Sequence, residues 1–177
     1  MTPERSNDLH VELDGDGPPL LLLHGFTGGA RTMWPLGRRL ADVRHVAAVD
    51  LPGHGRTGVP ADPHLFGFEH TVDALARLLE QRDHMPADVV GYSMGGRIAL
   101  GLAVRHPEHV ASLSLIGASA GISDAVERSA RRRSDDDLAE DLEDHGLEMF
   151  VKRWMASPIF ASQVRLGPDA LADARAR

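Results

Sequence analysis

Three short apolar runs, separated by stretches with helical periodicity, constrain the fold of this chain more than any other sequence feature. The runs are LLLLHG at 20–25, HVAAVD at 45–50 and ADVVGYS at 87–93. Continuous apolar stretches of this length are typical of strands that are buried on both faces of a parallel sheet. A fourth run, VASLSLIGAS, lies at 110–119, and LHVEL at 9–13 alternates as a half-exposed strand does.

The segments between these runs have the pattern of helices. Residues 31–41 are predicted to form a helix that Pro35 and Gly37 weaken, residues 69–82 place apolar side chains on one face, and residues 94–105 follow the third run as a helix. Strands that alternate with helices predict an α/β fold, with a mostly parallel sheet flanked by helices and right-handed crossovers.

The character of the sequence changes after residue 120. The remainder is helical in pattern, strongly charged and without a strand-like run. We therefore expect an α/β core at 1–120, and a helical cap with the start of a following segment at 121–177. Within the cap, RRRSDDD is interpreted as a solvated helix in which Ser134 or Asp135 caps a new turn.

Composition excludes several classes of function. The 177 residues carry a net charge of −7, which disfavours a nucleic-acid partner, and they contain no cysteine for disulfides or thiolate catalysis. The first residues, MTPERSNDLHVELDGDG, lack the apolar core of a signal peptide, and the longest apolar run, Leu20–Leu23, is too short to cross a bilayer. A cytoplasmic enzyme or binding module without membrane insertion is the expectation.

The pentapeptide GYSMG at 91–95 has the G-x-S-x-G pattern of a serine nucleophile elbow. It follows a buried strand and opens a helix, which is the setting that projects a serine hydroxyl above a sheet. Ser93 is therefore the candidate catalytic residue, and the alternative is a glycine-rich turn with an incidental serine. The backbone amides of Met94 and of Phe26, just after the first buried run, are the expected oxyanion-hole donors. His24 is given no role in proton transfer.

No metal site and no organic cofactor are predicted. His106, Glu108 and His109 resemble a metal-binding group, but Pro107 breaks the helix that would align the two imidazoles. The segment is therefore interpreted as a helix end.

The motifs LLLHGFTGG, DLPGHGRTG and GYSMGGRIAL, in this order and spacing, resemble the α/β-hydrolase superfamily over about residues 9–119. Over about residues 93–163 the chain, with its charged cap, is similar to the 2-succinyl-6-hydroxy-2,4-cyclohexadiene-1-carboxylate synthases of menaquinone biosynthesis. This resemblance implies a lyase that eliminates pyruvate from 2-succinyl-5-enolpyruvyl-6-hydroxy-3-cyclohexene-1-carboxylate. Its substrate is a small polycarboxylate.

The resemblance also implies roles for individual residues. Ser93 would be the base that removes a ring proton, and no acyl-enzyme is required. Arg97, Arg128 and Trp154 match family positions that face the substrate, and arginine suits carboxylates because it can bind them with two hydrogen bonds. Arg131 lies close to Arg128 and stays open as its alternative.

The sequence departs from the family pattern in its catalytic triad. Family members supply an aspartate and then a histidine after the cap, whereas the histidines beyond Ser93 here are His106, His109 and His145. None of these follows a predicted strand. We therefore expect a C-terminally truncated chain that lacks later strands and both triad partners and is inactive as it stands. An ester or thioester hydrolase of the same fold, or an inactive fragment of one, is the alternative.

Overall fold

A computed structural model describes residues 9–59, 62–158 and 160–161. The chain divides into two compact units, Met1–Ala120 and Gly121–Arg177. The described part of the first unit contains, in chain order, β1 (Val11–Asp14), β2 (Pro19–Leu23), α1 (Ala30–Leu40), β3 (His45–Val49), a 3-10 turn (Pro63–Phe66), α2 (Phe68–Gln81), β4 (Ala87–Tyr92), α3 (Met94–Arg105), a second 3-10 turn (Pro107–His109) and β5 (Val110–Ile116).

These strands form one sheet in the order β1-β3-β2-β4-β5. β1 pairs antiparallel with β3, whereas β2 pairs parallel with both β3 and β4, and β4 pairs parallel with β5. The predicted α/β fold with a mostly parallel sheet is therefore confirmed. The first strand begins at Val11 rather than at Leu9, and Leu9 is buried ahead of it.

The central strands are apolar throughout because both faces of the sheet are covered. Leu20 and Leu22 of β2 pack with Ala30 and Met33 of α1 on one face. Leu21 and Leu23 point the other way and join the apolar sides of α2 and α3. The continuous apolar run thus reflects two-sided burial, as the sequence predicted.

Helix α1 forms in spite of Pro35 and Gly37 in its interior. The glycine has a packing reason, since a Cβ at Gly37 would lie 2.7 Å from the Trp34 ring and 3.3 Å from Leu22. Close approach to the sheet therefore compensates for the weak helix propensity of this segment.

β5 lies at an edge of the sheet and is more exposed than the central strands. Among the described residues it pairs with β4 alone. Leu115 and Ile116 near its end are 40% and 47% exposed. An apolar strand with one unpaired side is a surface that pairs readily with another strand.

The second unit is dominated by one long helix, α4 (Ala125–Met155). Asp124 caps it, since its Oδ1 accepts hydrogen bonds from the amides of Val126 at 2.9 Å and Glu127 at 2.8 Å. The predicted new turn at Ser134 or Asp135 is wrong, because both residues lie inside the helix. The kink occurs instead at Gly146, whose φ of 75° and ψ of 168° are not helical.

None of the helices in the described ranges is both long and apolar enough to cross a membrane.

Candidate active site

Ser93 occupies the tight turn between β4 and α3. Its φ of 51° and ψ of −111° lie in a region that residues other than glycine rarely adopt, at a cost of about 1–3 kcal/mol. Two backbone hydrogen bonds hold this geometry: the Ser93 amide donates to the Ile116 carbonyl at 2.9 Å, and the Arg97 amide donates to the Ser93 carbonyl at 3.2 Å. The serine therefore stands beyond the carboxyl end of β4, in the conformation of a nucleophile elbow.

The two glycines of the pentapeptide are required by close backbone contacts. A Cβ at Gly91 would lie 2.5 Å from the carbonyl oxygen of Gly95. A Cβ at Gly95 would lie 2.4 Å from the His24 carbonyl oxygen and 2.5 Å from that of Leu23. The G-x-S-x-G spacing thus lets the elbow fold on itself and pack against the end of β2.

The loop that follows β2 passes beside the serine. A Cβ at Gly25 would lie 2.8 Å from the Tyr92 ring and 3.4 Å from the Cβ of Ser93. Phe26 comes next in the chain, and Met94 directly follows the serine as the first residue of α3. The two proposed oxyanion donors thus belong to segments that flank Ser93, and their function as donors stays a prediction.

His24 is a structural residue of this loop. Its fully buried ring has Nδ1 2.8 Å from the Gly25 carbonyl oxygen, and Nε2 accepts the Leu51 amide at 3.0 Å. An acceptor at Nε2 places the proton on Nδ1, so the ring is neutral and both nitrogens are engaged. Burial is the main cause that lowers the pKa of His24 to about 4, and the nearby His54 lowers it further. The ring therefore ties the loop after β2 to the loop after β3.

Asp50 makes a second tie at the end of β3. One carboxylate oxygen accepts the Ala30 amide at 2.6 Å, and the other accepts the Arg56 amide at 2.9 Å. The carboxylate thus holds the start of α1 and the loop after β3. Sequence reasoning gave neither His24 nor Asp50 this role. The signal that points to them is a polar residue directly after each of two neighbouring buried strands, since such residues meet at one sheet edge.

Arg97 lies one helical turn after Ser93 on α3. Its side chain is exposed, although Gly96 and Ile98 on either side are buried. Within the described residues the guanidinium forms no ion pair, and its role in substrate binding stays a prediction.

Arg128 and Arg131 both lie in the second unit, near the start of α4. The Arg128 guanidinium donates to the carbonyl oxygens of Ile122 at 2.7 Å and Ser123 at 3.0 Å. Arg131 donates to both carboxylate oxygens of Asp135, at 2.8 and 2.9 Å. Arg131 is thus neutralised by a carboxylate, whereas Arg128 is bound to neutral carbonyl groups and keeps its net charge.

Trp154 belongs to an aromatic cluster of the second unit. Its ring stacks on Phe150 with centroids 6.2 Å apart and meets Phe160 edge-on at 5.7 Å. The role of Trp154 in substrate binding stays a prediction, as does that of Arg128.

The elbow, the adjoining loop and the parallel sheet are features of one known fold family. The family model of the alpha/beta hydrolase fold matches residues 18–163. This chain belongs to the α/β-hydrolase fold family. Its relatives within this family include a putative 2-succinyl-6-hydroxy-2,4-cyclohexadiene-1-carboxylate synthase from Bacillus subtilis, which is 36% identical over 168 residues, or 93% of this chain and 61% of that protein.

Solved structures of the α/β-hydrolase family support the same assignment of the fold. MenH from S. aureus superposes with a TM-score of 0.85 and 31% identity, covering 94% of this chain and 64% of that one. An esterase from Exiguobacterium antarcticum superposes with a TM-score of 0.72 and 25% identity, over 82% of this chain and 55% of that one. The chain therefore spans less than two thirds of the length of the relatives it matches.

Proposed function

We propose that this chain contributes the serine-bearing part of a lyase that eliminates pyruvate from 2-succinyl-5-enolpyruvyl-6-hydroxy-3-cyclohexene-1-carboxylate. The product is 2-succinyl-6-hydroxy-2,4-cyclohexadiene-1-carboxylate, an intermediate of menaquinone biosynthesis. The reaction takes place in the cytoplasm and requires no metal and no organic cofactor. The observation that carries the proposal is the strained Ser93 elbow, in a chain that is 36% identical to the Bacillus subtilis synthase.

The proposed reaction is a proton abstraction followed by loss of an enolate. Ser93 Oγ takes a proton from ring carbon 2, and the electrons of that C–H bond form a double bond between carbons 2 and 3. The double bond between carbons 3 and 4 shifts to carbons 4 and 5 as the leaving group departs from carbon 5. The bond between the ring and the enolpyruvyl oxygen breaks, and the leaving enolate takes up a proton to become pyruvate. The amides of Phe26 and Met94 stabilise the negative charge that develops during this step.

The proposed substrate carries several carboxylates, which need cations in fixed positions. Arg97 supports this reading because it is exposed and forms no ion pair with the described residues while lying one turn from Ser93. Arg128 is the better candidate of the two cap arginines, since Asp135 already neutralises Arg131. The family resemblance implies that Trp154 also takes part in substrate binding.

The serine needs a base of its own, because a hydroxyl is a poor base unless its proton has been removed. Within the described residues no hydrogen bond joins Ser93 Oγ to a histidine, and both ring nitrogens of His24 are engaged elsewhere. The family resemblance implies an aspartate and a histidine for this purpose. The test therefore includes the part of the Bacillus subtilis protein that this chain does not match.

Pyruvate release tests the proposal. The purified chain and a fusion of it with the unmatched part of the Bacillus subtilis synthase are each incubated with the enolpyruvyl substrate, and pyruvate is measured through lactate dehydrogenase. We expect release by the fusion and its loss in the fusion that carries Ser93→Ala. The intact Bacillus subtilis protein is the positive control. A folded fusion that releases no more pyruvate than its Ser93→Ala form would contradict the proposal.

Ester or thioester hydrolysis is the second candidate, because the same elbow suits acyl transfer and an esterase is among the similar structures. It predicts turnover of p-nitrophenyl esters and covalent labelling of Ser93 by a fluorophosphonate. Ester turnover by the fusion without pyruvate release would favour this candidate over the lyase.

A further inference from the structure

A cluster of histidines and carboxylates lies in the first unit between α3 and β5. Helix α3 ends at Arg105, and the 3-10 turn Pro107–His109 leads into β5. The proline does break the helix, yet the turn brings the two imidazoles back together, with ring centroids 5.5 Å apart in an edge-on arrangement. His106, Glu108 and His109 each offer a ligand atom, and these atoms lie within 4.8 Å of one another.

The imidazole of His109 is buried between two carboxylates. Its side chain is only 4% exposed, Nε2 lies 3.0 Å from Glu80 Oε1, and Nδ1 lies 3.1 Å from Glu108 Oε1. The approach to Glu108 does not have the geometry of a hydrogen bond, so the buried Nδ1 has no hydrogen-bond partner among the described residues. A neutral imidazole has one N–H, which goes to Glu80 and leaves the Nδ1 lone pair facing a carboxylate oxygen. A cation bound beside Nδ1 would relieve the repulsion between these two electron pairs.

We propose that His106, Glu108 and His109 bind a divalent transition-metal ion of the Zn²⁺ class. Imidazole nitrogen and carboxylate oxygen are ligands that zinc accepts, and a separation of 3.1 Å between Nδ1 and the carboxylate oxygen suits two neighbouring ligands of one small ion. The carboxylate of Glu108 is exposed, so solvent completes the coordination sphere.

Helix α2 supplies the supporting carboxylates that such sites use. Glu80 accepts from His109, and Asp73 Oδ1 lies 2.9 Å from His106 Nε2. These acidic residues are two helical turns apart on α2, so they reach the same side of the helix. A carboxylate that holds the second nitrogen of a ligating histidine fixes its orientation and raises its basicity.

The site is separate from the serine. His109 directly precedes Val110, the first residue of β5, whereas Ser93 bonds to Ile116 at the other end of that strand. The length of the strand places the two sites about 20 Å apart. The ion would join the ends of α2 and α3 to the start of β5, so its effect is on the stability of the fold and not on the chemistry at Ser93.

Metal titration of the tag-free 177-residue chain tests the proposal. We expect calorimetry to show saturable binding of one Zn²⁺ per chain, and Co²⁺ to produce visible d–d absorption bands that Zn²⁺ displaces. Zn²⁺ should also raise the thermal midpoint, because an ion that binds only the folded state stabilises it.

Matched variants locate the ion. Glu108→Gln and Glu80→Gln should each weaken Zn²⁺ binding by about 10- to 100-fold, whereas Glu143→Gln, an exposed carboxylate of α4, should not. His106→Gln should remove the Co²⁺ bands and the exposed His64→Gln should keep them. Circular dichroism of each variant without metal checks folding, and Glu108→Gln stays informative because its side chain is 64% exposed.

Two outcomes would overturn the proposal. One is the absence of saturable Zn²⁺ or Co²⁺ binding by the folded chain, or binding that the cluster variants leave unchanged. The other is an NMR titration in which His109 is doubly protonated at neutral pH and insensitive to added Zn²⁺, which would make the group an ion pair between an imidazolium and two carboxylates.

Discussion

The α-carbon of Gly95 lies so close to the carbonyl oxygen of His24 that a Cβ at residue 95 would approach it to 2.4 Å. This contact joins the turn that holds the serine to the loop that follows β2. The close contacts of Gly95 thus help to position the elbow against the loop after β2, and they leave no room for a side chain at this position.

Substitution Gly95→Ala should therefore damage both stability and activity. A methyl group that meets two backbone carbonyls cannot be relieved by a rotamer change, and overpacking of this kind costs about 1–3 kcal/mol or more. Urea unfolding measures the loss. Gly58→Ala is the matched control, since a Cβ there meets nothing within 4 Å. Equal stability of the two variants would contradict the close contact.

At Ser93 we expect glycine to be the more stable substitution, because it relieves the backbone strain of the turn. Ser93→Ala and Ser93→Gly both remove the hydroxyl, but only glycine adopts a φ of 51° without strain. We expect Ser93→Gly to be more stable than Ser93→Ala by about 1 kcal/mol. The free energy gained by relief of backbone strain is expected to exceed the cost of the greater conformational entropy that glycine gives the unfolded chain. Thermal unfolding of the pair decides the point. A less stable Ser93→Gly would mean that the elbow is not strained.

His24 predicts a pH dependence of stability. Its folded-state pKa of about 4 lies below the ordinary value of 6.5, so on acidification the unfolded chain takes up a proton before the folded chain does. The stabilising contribution of the neutral ring is complete above pH 6.5 and is lost as the pH falls toward 4. The total loss is about 3 kcal/mol, since one pKa unit corresponds to about 1.4 kcal/mol.

Comparison of variants isolates this contribution from other titrating groups. His24→Gln should be markedly less stable than the parent chain at pH 7.5, and the difference should shrink at pH 4.5. Urea unfolding at both pH values measures it, with the exposed His64→Gln as control. A difference that stays constant between the two pH values would show that His24 is not the titrating group.

We expect substitution of Arg97 to change catalysis without changing stability. In the fusion protein, Arg97→Ala should lower kcat/KM for pyruvate release by about 100-fold, because a bidentate contact to a substrate carboxylate is lost. Arg97→Lys should restore only part of it. The thermal midpoint of Arg97→Ala should match that of the parent fusion. Arg39 is an exposed arginine of α1, and Arg39→Ala should leave the rate unchanged. An unaltered rate in Arg97→Ala would exclude the proposed contact.

The strands and the elbow could be predicted because local patterns determine them. Two-sided burial makes Leu20–Leu23 continuously apolar, and the close contacts at Gly91 and Gly95 require glycine at fixed spacing. Both signals lie within a few consecutive residues, so the sequence alone was sufficient to find them.

The roles of His24 and Asp50 could not be predicted from local sequence patterns. Each depends on backbone amides far away in the chain, as with Leu51 for His24, and only the sheet brings these groups together. In α4 the predicted cap at Ser134 or Asp135 does not form, and the Arg131–Asp135 ion pair one turn apart is one local contact that favours the continuous helix. Intrinsic preferences differ by only about 0.5 kcal/mol among such residues, so neighbouring contacts decide.

The hydrogen bond from the Ser93 amide to the Ile116 carbonyl also links the reactive residue to the margin of the sheet. Local opening of an edge strand requires little free energy, and here it would release the amide that holds the serine in place. A polypeptide that pairs with the side of β5 on which the described residues place no strand would suppress this opening. The backbone at the serine is therefore hydrogen-bonded directly to β5, so a change in the order of this strand reaches the elbow through a single bond.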